Sequence, residues 1–268
     1  LSRTRPKALV LTGYGINCDY ESVGACELAG FESERLHVND VLNNAGSLGT
    51  YSLVVVPGGF SFGDDLGAGV AFSAKLRFFV SDKKKRFRDE LVEYVQKGGL
   101  LLGVCNGFQI LVRLGMIPAV DGRYGEQQVT LALNREGYFI DRWVRLKAEE
   151  GSHNIFTRDL HFLRLPVRHG EGRLCAGAEI LDAVEEQGLV SLRYCDGYGM
   201  PTMGFPENPN GSEHAAAGLC DPTGRIFGLM PHPEAAMSVY QYPDWTRGST
   251  DERGDGYCIF KNAFEYVH

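Results

Sequence analysis

The chain lacks the features that would tie it to a membrane, to nucleic acid or to a disulfide scaffold. Its longest apolar runs, such as LVVV at 53–56 and LLLGVC at 100–105, fall far short of the roughly 20 residues of a membrane-spanning helix. RPKALVLTG at 5–13 has too short an apolar core for a secretory signal and runs into a Gly/Asn/Asp loop, so a cytoplasmic location is expected. A formal net charge of −7 argues against nucleic acid or an anionic membrane as the main partner and points to a small substrate or another protein. The seven cysteines, at 18, 26, 105, 175, 195, 220 and 258, are odd in number and include no C-x-x-C pair. Neither a disulfide framework nor a zinc site is therefore favoured, and most of these thiols read as small buried hydrophobes. No repeat, low-complexity tract or G-K-[ST] phosphate loop occurs.

What is there is an ordinary globular composition, 44% hydrophobic and 23% charged over 268 residues, enough for one large α/β domain spanning 1–268. The first 118 residues alternate strand-like and helix-like segments: KALVLTG, YESVGACELAG, FESERLHV, YSLVVVPGG, then LLLGVC and FQILVRLG. This predicts a mostly parallel sheet flanked by helices. From Gln127 onward, extended segments follow one another (QQVTLALN, YFIDRWVRLK, FLRLPV, LVSLRYC, AAAGLCD, RIFGLM), separated by turn signals such as NPNGS at 208–212. They predict an antiparallel extension, closed by a helix at about 256–267. SDKKKRFRDELVEYVQKGG, 81–99, predicts an amphipathic helix with Ser81 or Asp82 as N-cap and Gly98 just past its end. Its basic cluster, Lys83 to Arg88, reads as a solvated face.

Active sites of such sheets lie beyond the carboxyl ends of the strands. The loops there are GYGINCD at 13–19, PGGFSFGDD at 57–65 and CNG at 105–107, all rich in Gly and small polar residues. In GVCNG, Cys105 stands where a strand gives way to a helix. A helix N-terminus favours the thiolate, and the flanking glycines relieve crowding in a tight turn, as in the G-x-S-x-G elbow. A nucleophile needs a base and the base an orienting group. His232 and Glu234, held in a rigid P-H-P-E loop after an apolar strand, suit that pair, with His169 in RHGEG as the rival base. PGGF at 57–60 can turn backbone N–H groups outward at a strand end, and the N–H of Asn106 starts the helix, so the two loops together suit an oxyanion hole. Asp64 and Asp65 argue against phosphate in the same loop.

These residues resemble a known family. GVCNGFQIL, PGGFSFGD and MPHPE are similar to the triad-type, or class I, glutamine amidotransferases. GINCD, GGFSFGDDLGAG, CNGFQIL, HGEGR, NPNGS and GLMPHPE occur in the order seen in glutaminase subunits of phosphoribosylformylglycinamidine synthase, a resemblance that covers nearly the whole chain. It implies a class I glutamine amidotransferase-like, flavodoxin-like fold. It also implies that Cys105 attacks the side-chain amide of glutamine to form a thioester, with His232 moving protons and Glu234 orienting it. Gly59 and Asn106 become the oxyanion donors, and Gln109, His169, Gly170, Glu171 and Gly172 become candidates for holding glutamine. The ammonia would pass to a separate synthetase subunit that uses ATP and magnesium, with a small accessory subunit in many such systems. No cofactor or metal is implied for this chain, and the lack of a nucleotide motif agrees with ATP being bound elsewhere. Three departures stand out: Ala235 where the family usually has Arg, a longer approach to the last helix at 242–260, and an expanded stretch at 72–90. The competing expectations are a cysteine hydrolase of related fold acting alone on another amide or γ-glutamyl substrate and a silent scaffold that only binds the synthetase.

Overall fold

The computed structural model describes residues 5–81, 84–247 and 252–268. In chain order the strands are β1 (Lys7–Thr12), β2 (Glu32–His37), β3 (Leu53–Val56), β4 (Leu100–Val104), β5 (Thr130–Leu133), β6 (Ile140–Ala148), β7 (Phe162–His169), β8 (Glu171–Cys175), β9 (Val190–Cys195), β10 (Ala216–Cys220) and β11 (Ile226–Leu229). The α-helices are α1 (Asp19–Ala29), α2 (Val38–Asn43), α3 (Val70–Phe78), α4 (Phe87–Gln96), α5 (Asn106–Leu114), α6 (Ala178–Glu186) and α7 (Asp255–Val267).

Nine strands form one sheet in the order β2-β1-β3-β4-β11-β10-β9-β6-β7, and β5 and β8 pair separately. Neighbours are parallel from β2 through β11 and antiparallel from β11 to β7. The chain thus has the flanked parallel sheet with an antiparallel extension that the segment pattern predicts. LVVV, LLLGV and IFGL, the sequences of β3, β4 and β11, are buried at every position, as strands covered on both faces must be. At the edge, ESERLH of β2 is half-buried or exposed throughout, and its charges keep that edge from pairing further. Among the helices, α1 packs with α7, and α3 with α4 and α5.

Local structure departs from the sequence expectations in three places. The helix expected over 81–99 is α4, Phe87–Gln96, with Arg86 rather than Ser81 at its N-cap. Ser81 instead closes a turn, its N–H donating to the Lys85 carbonyl at 2.8 Å, while Asp82 and Lys83 lie outside the described residues. The last helix, Asp255–Val267, agrees with the expected one to within a residue, and residues 248–251 of its approach lie outside the described residues. HGEGR is the corner between β7 and β8, a strand not anticipated, and AEILDAVEE forms the unanticipated α6. NPNGS lies in the connection from β9 to β10, as its turn signal implied, and Asn208, Asn210 and Ser212 are buried there.

Candidate active site

The strand-to-helix turn is as tight as its composition suggests. β4 ends at Val104 and α5 starts at Asn106, so Cys105 alone makes the turn, at φ 52° and ψ −107°. That is a left-handed φ which a residue with a Cβ rarely adopts. Its N–H donates to the Leu229 carbonyl at 2.8 Å, fixing it to the end of β11. The flanking glycines serve packing. A Cβ on Gly107 would lie 1.8 Å from the Val56 carbonyl oxygen, and one on Gly103 would lie 2.6 Å from Leu111 Cδ1. Only glycine lets the start of α5 press against the end of β3. Cys105 is buried, and its thiol donates to the Arg168 carbonyl at 3.7 Å.

His232 follows β11, its backbone held by an N–H bond of 2.8 Å to the Pro166 carbonyl of β7. Its Nδ1 lies 2.5 Å from Glu234 Oε1, and because a carboxylate only accepts, the ring proton is assigned to Nδ1. Nε2 makes no hydrogen bond of good geometry with any described residue, so it is open to take a proton. Both side chains are sealed from water. Burial by itself opposes a charge on this ring. Burial is the largest single effect, but the Glu234 carboxylate and the adjoining Cys105 and Cys18 sulfurs together outweigh it, and the pKa is raised well above 6.5. The three side chains meet over Gly58, where a Cβ would come within 2.8 Å of His232 Cε1, 3.3 Å of Cys18 Sγ and 3.5 Å of Cys105 Cβ.

The PGGF loop is stapled to the loop after β1. Asn17 N–H donates to the Gly58 carbonyl at 3.3 Å and Phe60 N–H to the Gly15 carbonyl at 2.9 Å. Gly59 lies between these bonds at φ 150°, where a Cβ would strike the Gly15 oxygen at 2.6 Å. At the start of α5, the Asn106 N–H belongs to the first turn, which has no intrahelical acceptor. Gly59 and Cys105 line a cavity of about 200 Å³ that also takes in Asp64, Gln109, Arg168, His169, Gly170 and Glu171. Its volume is below the range usual for drug-sized ligands and suits something the size of one amino acid.

His169 is brought beside this cavity, but its ring is occupied. Nδ1 pairs with Asn134 Oδ1 at 3.0 Å, and Nε2 faces the Asn210 amide at 3.5 Å. Burial, with the charge of His232 added, lowers its pKa to about 3. The geometry therefore leaves His232, not the rival His169, with a free ring nitrogen. Gly172 is glycine because a Cβ there would meet the His169 ring at 2.5 Å. Its carbonyl accepts from Asn210 Nδ2 at 2.9 Å, which explains why NPNGS is buried. Gln109 is likewise engaged: Nε2 donates to the Glu171 carbonyl at 2.5 Å, and Oε1 accepts from Asn106 Nδ2 at 3.1 Å. Glu171 Oε2 accepts from the Ala68 N–H at 3.2 Å. These residues shape the cavity wall by holding one another.

Three residues at the site went unassigned in the sequence reading. Arg168 offers its carbonyl to Cys105 and brings Nη2 to 3.9 Å from Glu234 Oε1. Asp64 accepts from Asn106 Nδ2 at 3.1 Å, and its half-buried setting raises its pKa. Cys18, in the strand-end loop already singled out, places Sγ 4.0 Å from His232 Nδ1. Position was the only signal for each: Cys18 and Asp64 lie in strand-end loops already singled out, and Arg168 opens RHGEG. Ala235, the departure from the family pattern, is half-buried, and its N–H donates to the His232 carbonyl at 3.3 Å.

A CobB/CobQ-like glutamine amidotransferase domain matches residues 5–267. The chain belongs to the glutamine amidotransferase family. Among relatives of this amidotransferase, phosphoribosylformylglycinamidine synthase subunit PurQ of Methanococcus maripaludis is 38% identical, the match covering 98% of each chain. The protein of the same name from Dehalococcoides mccartyi is also 38% identical, again over 98% of both chains. Among solved structures, a chain of PurLQS from Thermotoga maritima superposes with a TM-score of 0.71 at 29% identity, covering 99% of this chain and all of that one.

Proposed function

We propose that this amidotransferase is the glutaminase subunit of phosphoribosylformylglycinamidine synthase, releasing ammonia from glutamine for a synthetase on another chain. The observation that carries the chemistry is the buried His232–Glu234 pair, with Nε2 free, beside a cysteine at a helix start. Relatives that bear that subunit's name and match over almost their full length supply the pathway. Nε2 takes the Cys105 proton, and the thiolate attacks the amide carbon of glutamine. The developing oxyanion lies against the N–H groups of Gly59 and Asn106. His232, held as imidazolium by Glu234, then protonates the departing ammonia, and water cleaves the thioester by the same steps in reverse. Gln109, His169, Gly170 and Glu171 form the wall that receives the glutamine, with Gly172 not lining the cavity but packed against the His169 ring. Assembly with the synthetase, and with a small accessory subunit as in PurLQS, completes the enzyme, and ATP and magnesium act on the synthetase.

The test is Cys105→Ala in the reconstituted complex. Glutamine-dependent amidine synthesis falls to background while synthesis from added ammonia persists, because the synthetase site is untouched. Unchanged glutamine use by this variant would refute the mechanism. Fast, partner-independent hydrolysis of a different amide by the wild-type chain would refute the assignment.

A further inference from the structure

Cys18 is a buried thiol that the amide chemistry leaves unused. A cysteine that only filled space would need apolar neighbours, yet this one sits against the ring nitrogen that Glu234 orients. Cys18 Sγ, His232 Nδ1 and a Glu234 carboxylate oxygen all lie within 4.8 Å of one another. Two of the spacings are 4.0 Å for Sγ to Nδ1 and 2.5 Å for Nδ1 to Oε1. Bonds of about 2.0–2.3 Å to a tetrahedral zinc ion put ligand atoms roughly 3.3–3.7 Å apart. The thiol is thus almost in place, and the carboxylate must withdraw by roughly 1 Å. Glu234 has the means, since its Oε2 is buried with no hydrogen-bond partner among the described residues. Arg168, 3.9 Å from Oε1, is the one nearby cation in these contacts and opposes the ion.

We propose that Cys18, His232 and Glu234 form an inhibitory site for a thiophilic divalent cation such as Zn²⁺. The set of sulfur, imidazole and carboxylate donors is the one this class of ion prefers. Binding exchanges the Cys18 S–H and His232 Nδ1–H protons, released to solvent, for bonds to the metal, so affinity falls on acidification. A metal on Nδ1 replaces the hydrogen bond that orients the ring and keeps the imidazole from becoming the imidazolium that must protonate ammonia. The ion need not cross the glutamine cavity, which Cys18 does not line. The thiol donates to Oδ1 of the exposed Asn17 at 3.4 Å, which marks an approach from the surface.

Two measurements test this, and only the first rests on the glutaminase reading. In the wild-type complex, Zn²⁺ suppresses glutamine-dependent synthesis reversibly on chelation while ammonia-dependent synthesis continues. Cys18→Ser raises the half-inhibitory concentration at least about tenfold. Co²⁺ titration is the second, made in a Cys105→Ser background to remove the other active-site thiol. A thiolate-to-cobalt charge-transfer band forms there and is lost in the Cys105→Ser/Cys18→Ser protein. Equal zinc sensitivity with and without Cys18, or a cobalt band that survives its removal, overturns the site. Should Cys18→Ser prove inactive without metal, the cobalt comparison decides alone.

Discussion

Glu234 touches none of the reacting atoms and works through His232, so its contribution is separable from that of the nucleophile. Its carboxylate is the main force holding the imidazole charged in a dry setting. Glu234→Gln keeps the side-chain shape and removes the charge, so the His232 pKa falls. We expect kcat for glutamine hydrolysis to drop by roughly 10²–10⁴-fold, less than for Cys105→Ala, since the base remains but loses its tautomer and orientation. The alkaline limb of the kcat/KM profile, which reports loss of the His232 proton, moves to lower pH. An amide that merely disturbed packing would lower the rate without moving that limb. Residues of this kind were legible because each carries a local frame: glycines around Cys105, prolines around His232. Cys18 and Arg168 were not, because only folding brings a thiol 214 positions away to His232 and turns the β7 backbone toward Cys105.

At the scale of elements, the site depends on two close approaches. The first is α5 against β3 through Gly107. Gly107→Ala places a methyl group where the Val56 carbonyl oxygen already lies, which forces the helix start outward. We expect a loss of about 1–3 kcal/mol or more in urea unfolding, with Gly59 and Asn106 drawn apart and glutaminase activity lost beyond what stability explains. The second is the β7–β8 corner on its bed of Asn134, Asn210 and Ser212. His169 titrates at about 6.5 in the unfolded chain but at about 3 in the fold. Its contribution to stability is whole above about pH 6.5 and drains as pH falls toward 3, because only the unfolded chain then takes up the proton. The wild type therefore loses up to about 1.4 kcal/mol per pH unit through this one group. His169→Gln is less stable at neutral pH, and its deficit narrows at that rate on acidification. Parallel denaturant titrations of both proteins from pH 7 to 4 check this. Sequence offered HGEG for its histidine and NPNGS as a turn signal, with nothing to join them. Their union is a long-range polar contact, which periodicity does not report.

For the molecule as a whole, the alternating first half and the extended second half were readable because they differ in period, 3.6 against 2. What no period reveals is the surface that the two halves share. Around the mouth of the cavity beside Cys105, Phe60 from the β3 loop and Phe139 just before β6 have ring centroids 6.2 Å apart, and both are exposed together with Leu133 and Tyr138. Water gains nothing from such a rim, and ammonia released into open solvent is lost by protonation and dilution. A synthetase seated on these rings would close the mouth and shelter the product. Tyr138→Ser/Phe139→Ser is expected to weaken association with the synthetase by tenfold or more, on the scale of lost aromatic anchors. The unfolding midpoint of the isolated chain should hardly move, since both side chains already face water. In the residual complex, more glutamine is then consumed per amidine formed. Calorimetric titration of the two subunits measures the first effect and the ratio of glutamate to product the second. An unchanged affinity would place the synthetase elsewhere, with the exposed Phe162 and Tyr198 at the antiparallel end as the next surface to probe.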